Sequence, residues 1–170
     1  MKQKFLPYLY AAYGMNTSVE QMATRCPNAE AVGKAKLAGY KLAFRGVADV
    51  IPEKGRTMHV ALWRVTKDCI AALDRLEGFR EGGGGLYDKV YVEHPKHGRI
   101  MFYKMTRRLL APPSEFYESM LREGYEDFDM PASQIDIAKR TATRVYSERG
   151  ERVARKDAEA SIRAGGWEFF

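Results

Sequence analysis

The sequence is poor in the residues and motifs that usually announce an activity. Its 170 residues include only two cysteines, Cys26 and Cys69, and three histidines, His59, His94 and His97. Neither a CxxC pair nor a histidine beside a cysteine occurs, so neither a disulfide framework nor a zinc site is suggested. His94 and His97 flank a Pro-Lys pair between two strand-like segments, which fits a turn rather than a metal site. GxSxG, GxxxxGK[ST], GxGxxG and HExxH are all absent. Their absence argues against serine hydrolases, nucleotide hydrolases, dinucleotide enzymes and zinc proteases. Apolar runs stop after a few residues, as in Val60-Ala61-Leu62-Trp63, whereas a membrane-spanning helix needs about 20. Met1–Met15 places Lys2 and Lys4 ahead of an apolar run, but Pro7 and the tyrosines at 8, 10 and 13 interrupt the greasy centre that a signal peptide uses. We read it as a first β-strand and expect a cytoplasmic protein without a membrane partner.

No run of five or more basic residues occurs, although the net charge is +6. The excess is mostly N-terminal, with nine basic against four acidic side chains through residue 56. Such a balance suits a small anionic ligand or simple solubility, and no nucleic acid is expected as a partner.

What is present is a chain 45% apolar and 29% charged, enough for one globular domain with a sizeable core. Apolar segments rich in aromatic and β-branched residues at 5–12, 37–45, 47–51, 57–65, 86–94 and 99–105 predict about six strands. Thr17 or Ser18 can cap a short helix that Pro27 ends. Thr66 can cap a second, with Cys69, Ile70, Leu73 and Leu76 on one face and Gly78 as its stop. Pro112-Pro113-Ser114 opens a third, with Phe116, Tyr117, Met120 and Leu121 on one side. Ser133 with Asp136 resembles a capping box, followed by Ile135, Ala138, Ala142 and Val145 at helical spacing. Strands first and helices late give an α+β fold. We expect a compact, barrel-like mixed or antiparallel sheet over residues 1–131 and a helical C-terminal extension over 132–170. From Glu148 to Ala164 that extension reads as a solvated helix or partly ordered tail. Trp167-Glu168-Phe169-Phe170 is apolar enough to dock on the body or on a second copy, as in a homodimer.

Two constellations can carry chemistry. In Tyr10-Ala11-Ala12-Tyr13-Gly14-Met15-Asn16-Thr17 an apolar strand runs into a glycine loop and a helix start. Outward-pointing N–H groups there suit a carboxylate or a developing oxyanion; an ordinary turn with Gly14 at positive φ is the plainer alternative. In Leu73-Asp74-Arg75-Leu76-Glu77-Gly78-Phe79, Glu77 closes an amphipathic helix. The negative end of the helix dipole and burial both disfavour its ionised form. A carboxyl tuned toward neutrality can take a proton from an ammonium and return it to a leaving amine.

In order along the chain, Tyr13-Gly14-Met15-Asn16, Arg25-Cys26-Pro27, Leu37 to Phe44, Leu73 to Gly78 and Leu86-Tyr87 resemble the gamma-glutamylcyclotransferase-like proteins. Phe102-Tyr103, Ala111-Pro112-Pro113-Ser114, Tyr117 and Met130-Pro131 extend the likeness toward the glutathione-degradation branch of that family. The resemblance covers about residues 8 to 131. It implies that a γ-glutamyl amide is cut by its own α-amine, giving 5-oxoproline and a free amine without metal, cofactor or covalent nucleophile. Under it Glu77 matches the essential glutamate, and Tyr13, Gly14, Met15 and Asn16 match the loop that holds the substrate. Tyr87, Tyr103 and Tyr117 match hydroxyls lining the pocket.

The chain departs from the family pattern at Met15, where a small residue such as Ser is usual, and at Thr17, where Leu is usual. The stretch from Glu77 to Tyr87, with Gly82-Gly83-Gly84-Gly85, looks longer than in the familiar enzymes and suggests a mobile flap. Two other readings stay open: a γ-glutamylamine (isopeptide) cyclotransferase, and a non-catalytic binder of a small anionic ligand. A buried carboxyl facing an anion disfavours the last.

Overall fold

The computed structural model describes residues 4–106 and 109–163, and side chains as far as residue 156. Five strands form the sheet: β1 (Phe5–Ala12), β2 (Glu30–Phe44), β3 (Ala48–Thr66), β4 (Tyr87–His94) and β5 (Gly98–Met105). Four helices accompany them: α1 (Val19–Arg25), α2 (Lys67–Glu77), α3 (Glu115–Asp127) and α4 (Ser133–Arg163). The strand order is β2-β3-β1-β5-β4. Only the β1–β5 pair is parallel; the other three pairs are antiparallel.

The fold is α+β as expected, with five strands instead of six and with the sheet open at the ladder level. Segments 47–51 and 57–65 are one strand. The polar Glu53-Lys54-Gly55-Arg56 between them is taken up within β3. The register against β2 jumps there, from Ala38↔Thr57 to Tyr40↔Pro52, and Gly39 and Gly55 supply the positive φ angles of the irregularity. The two edges meet at one corner through a side chain, where His94 Nε2 lies 3.1 Å from the Lys36 carbonyl. His94 Nδ1 also accepts from the N–H groups of Lys96 and His97. The two histidines therefore shape a turn.

The centre of the sheet is dry. Tyr10 of β1 stands between Trp63 of β3 and Met101 of β5, and Ala11, Val60, Leu62, Ile100 and Phe102 are fully buried. The two cysteines are free and buried side by side, Cys26 Sγ lying 3.6 Å from the Cys69 carbonyl.

Local signals set the helix ends. Ser18 Oγ accepts from Gln21 N, Thr66 Oγ1 from Cys69 N, and Ser114 Oγ from Tyr117 N, which satisfies donors that a helix start leaves open. Gly78 ends α2 in the left-handed conformation at φ 64°. Three expectations are corrected. Leu76 is half exposed and Phe116 is 76% exposed, because α2 and α3 each bury a narrower stripe; on α3 this is Leu121, Gly124 and Tyr125. Ser133 is the first residue of α4 and not its cap, and Asp136 turns away to pair with Arg122.

Along α4, Ile135, Ala138 and Ala142 are buried, and Gln134 joins the helix to β3 through a reciprocal pair of bonds with the His59 backbone. Beyond Gly150 its described side chains are exposed, as the charged composition of that stretch implied. Trp167 to Phe170 lie outside the described residues. No described helix is long and apolar enough to cross a membrane.

Candidate active site

At the end of β1 the chain leaves the sheet and makes one turn of 3-10 helix, Met15–Thr17, before α1. Gly14 closes that turn by accepting from Thr17 N at 2.9 Å. Its φ is −108°, so positive φ is not why a glycine stands there. A Cβ on Gly14 would lie 3.3 Å from the Tyr117 hydroxyl and 3.4 Å from Ala48 Cβ, so glycine serves close approach.

Around this loop lies a cavity of about 180 Å³. All eight residues singled out in sequence line it: Tyr13, Gly14, Met15 and Asn16 from the loop, Glu77 from the end of α2, and Tyr87, Tyr103 and Tyr117 from β4, β5 and α3. The structure adds Tyr10, Arg25, Leu76 and the Val47-Ala48 turn between β2 and β3.

A hydrogen-bond frame fixes these groups. Asn16 is its centre: its Nδ2 donates to Tyr10 Oη at 2.9 Å and reaches Glu77 Oε1 at 3.3 Å, while its Oδ1 accepts from Arg25 Nη1 at 2.6 Å. Trp63 Nε1 donates to the Asn16 carbonyl at 3.0 Å. Tyr13 Oη donates to the Tyr103 carbonyl at 2.5 Å, and Tyr125 Oη to the Tyr13 carbonyl at 3.2 Å. Tyr103 Oη donates to Asp74 Oδ1 at 2.7 Å, and Asp74 Oδ2 pairs with Lys89 at 2.8 Å. Ala48 N donates to Tyr117 Oη at 3.0 Å. Tyr103 and Tyr117 are thus held by partners on neighbouring elements, which orients rings that would otherwise turn freely.

Burial pushes the Glu77 carboxyl up from 4.5 to about 7, against the opposing pull of the Arg25 charge and the Asn16 hydrogen bond. A group with that pKa is available in both protonation states near neutral pH. Burial raises Tyr117 to about 12 and drives Tyr10, Tyr13 and Tyr103 higher still. The tyrosines are therefore neutral hydroxyls at pH 7, leaving Glu77 as the group on this wall that titrates near neutrality. Among the described residues no cluster of three or more His, Cys, Asp or Glu is arranged to hold a metal ion.

The loop after Glu77 folds back on itself. Phe79 N donates to Asp74 O and Leu86 N to Gly78 O, each at 2.9 Å. A Cβ on Gly85 would come within 2.6 Å of the Gly78 carbonyl, so that glycine permits the fold-back.

The family model for gamma-glutamyl cyclotransferase, AIG2-like proteins matches residues 10–126, a span that contains every cavity residue and stops short of α4. The chain is 29% identical to the gamma-glutamylcyclotransferase of Mus musculus over 137 aligned residues, covering 73% of each. The Homo sapiens protein of that name is 28% identical over the same length and coverage. A solved gamma-glutamyl cyclotransferase superposes with a TM-score of 0.63 at 25% identity, covering 78% of this chain and 86% of that one. YkqA from Bacillus subtilis, at 22% identity and TM-score 0.61, shares the fold over 80% of this chain. With its family model matched across the whole cavity, the chain belongs to the gamma-glutamyl cyclotransferase, AIG2-like family of enzymes.

Proposed function

We propose that the protein converts a γ-glutamyl amide into 5-oxoproline and a free amine, with Glu77 as its single general acid and base. The observation that carries this reading is Glu77 itself: a half-buried carboxyl raised to about 7, on the wall of a cavity floored by a backbone loop. Glu77 in its carboxylate form takes a proton from the substrate's α-ammonium. The freed nitrogen then attacks the γ-carbonyl carbon and closes a five-membered ring. Charge that develops on the carbonyl oxygen is met by backbone N–H groups of the Tyr13–Asn16 loop. As the ring carbon expels the leaving nitrogen, Glu77 returns its proton to that nitrogen, then takes the second proton from the ring nitrogen and passes it to the departing amine, which leaves as an ammonium beside the neutral lactam. Water is not consumed, because the bond broken and the bond formed are both amides. None of these steps needs a metal or cofactor. A γ-glutamyl amino acid or related peptide, as in glutathione metabolism, is the substrate class this reading favours.

The test is incubation with a panel of γ-glutamyl amino acids, γ-glutamyl-ε-lysine and simple γ-glutamylamines while 5-oxoproline is measured. Absence of 5-oxoproline from every member would overturn the reading. On the best substrate kcat/KM should rise with pH through about 7, because the free enzyme must carry Glu77 ionised to act as base. A flat acid limb between pH 5 and 8 would remove Glu77 from that role.

Met15 should govern the choice among these substrates. It is half-buried and lines the cavity, whereas the loop donors are backbone. Met15→Ser should leave the oxyanion contacts in place and change the space beside them, an effect typically worth about 1 to 3 kcal/mol of discrimination. The measurement is kcat/KM for wild type and variant over one panel. A uniform loss with an unchanged ranking would show that Met15 only supports the loop.

A further inference from the structure

The turn between β2 and β3 carries a charged pair that the proposed reaction does not touch. Among the described residues Asp49 is the one charged side chain with no exposure to solvent. A carboxylate so placed is costly unless it is paired and hydrogen-bonded, and Asp49 is both. Its Oδ2 accepts from Arg45 Nε at 2.6 Å, four residues back across the turn. Its Oδ1 accepts from Met105 N at 2.8 Å, at the end of β5.

That second bond lies where the sheet parts to make room for the cavity. β1 pairs with β5 at Leu9↔Ile100 and Tyr10↔Met101. Further along β5, side chains take over from the strand: the Tyr103 carbonyl accepts from Tyr13 Oη, and Met105 N donates to Asp49. Asp49 thus satisfies a backbone donor that β1 does not reach, and through Arg45 it ties the turn to the end of β5.

The turn so tied holds Tyr117 from two directions. Ala48 N donates to Tyr117 Oη at 3.0 Å, which fixes the hydroxyl end of the side chain. Gly46 N donates to the Ala111 carbonyl at 2.9 Å and Ala111 N to the Phe44 carbonyl at 3.0 Å, which fixes the segment that enters α3 through its cap, Ser114. Val47 and Ala48 themselves line the cavity.

We propose that Asp49 is a positioning residue for the reaction: through Arg45 and Met105 N it anchors the β2–β3 turn, and that turn places the Tyr117 hydroxyl in the cavity wall. Its effect on turnover rests on the cyclotransferase reading; the placement of Tyr117 does not.

The experiment is a double-mutant cycle on Asp49→Asn, Tyr117→Phe and the pair, read by kcat/KM on the best γ-glutamyl substrate and by NMR of protein carrying 13C at tyrosine Cζ. Asparagine keeps an acceptor for Met105 N but has no charge for Arg45, so it removes the ion pair at nearly constant volume. Moving a wall group by about 1 Å can cost on the order of 10² in rate. Asp49→Asn should accordingly lower kcat/KM by about 10- to 100-fold in wild type, and by less than about 3-fold in Tyr117→Phe, where the hydroxyl it places is already gone. The Tyr117 Cζ signal, identified by its absence from Tyr117→Phe, should shift in Asp49→Asn as the bond from Ala48 N changes. A general loss of stability would leave that signal in place in the folded protein.

Equal losses of kcat/KM in the two backgrounds, or an unmoved Tyr117 signal, would overturn the proposal. Should Asp49→Asn not fold, Arg45→Gln takes its place in the same cycle with the same outcomes, since that side chain keeps some exposure, at 11%. If wild type forms no 5-oxoproline while the Tyr117 signal shifts in the variant, the reaction reading fails and the anchor stands.

Discussion

Glu77→Gln should lower turnover by about 10² to 10⁴-fold, the usual worth of a general acid and base, and should at the same time make the protein more stable than wild type at pH 8. The amide keeps the shape of the carboxyl and can still accept from Asn16 Nδ2 at the 3.3 Å seen in the structure. What it loses is the ability to take and return a proton. The stability gain follows from linkage. Glu77 titrates at about 7 when folded and near 4.5 when exposed, so the folded state holds its proton more tightly than the unfolded chain. The stability this adds is fully present below pH 4.5 and is lost as pH rises through 7. By pH 8 the wild type carries a cost of about 3 kcal/mol from a partly buried carboxylate, discounted toward 2 for residual solvent contact, which glutamine does not carry. Denaturant unfolding of both proteins at pH 5 and pH 8 measures this. Wild-type turnover in the variant would remove Glu77 from the chemistry. A stability difference independent of pH would mean that the carboxyl is not held in the environment described above.

Much of this site is legible in the sequence because the signals are local. Glu77 is found by a helix whose apolar face ends at a glycine stop, and the loop by an apolar strand running into Gly14 and a capped helix. Physics also explains what is missed. Arg25 reads as an ordinary basic residue at a helix C-terminus, favourable to the dipole on its own account. Only folding α1 back beside α2 shows that it faces a carboxyl across Asn16. Tyr10 reads as a core aromatic of β1, which it is, and its hydroxyl reaches the site only because Asn16 donates to it. The signal for both is the position of Asn16, a side chain with donor and acceptor ends standing two residues after Gly14. Among the strands, the division of β3 into segments 47–51 and 57–65 has a similar origin. A polar glycine segment has the composition of a turn, and only pairing across a long hairpin keeps it within one strand. The cap of α4 fails differently, because Asp136 finds a stronger partner in Arg122 than the backbone offers.

Gly124→Ala should destabilise the protein by about 2 kcal/mol and impair turnover together with stability, although alanine is the better helix former by about 1 kcal/mol. α3 lies on the Tyr13–Ser18 segment through Tyr117, Gly124 and Tyr125, which share a stripe at helical spacing. Gly124 is its point of closest approach. A Cβ there would stand 2.2 Å from Thr17 Oγ1, 2.8 Å from Ser18 N and 3.1 Å from the Thr17 carbonyl carbon. Rotating the Thr17 side chain could relieve the first contact, but Thr17 is fully buried and the other two contacts are with backbone. Overpacking of this kind costs about 1 to 3 kcal/mol, occasionally more, and the backbone that must yield is the turn continuous with Gly14, Met15 and Asn16. Displacing such a loop by even about 1 Å can cost on the order of 10² in rate. For a chain of this length the stability loss corresponds to a fall in Tm of about 4 to 8 °C. Gly150→Ala is the matched control. It lies on α4 with nothing within 4 Å of its would-be Cβ, so the same change should stabilise by a few tenths to about 1 kcal/mol. Thermal melts of the two variants, with kcat/KM on the best substrate, decide the matter: opposite signs are expected, and a Gly124→Ala protein as stable and active as wild type would mean that α3 does not hold the loop in place.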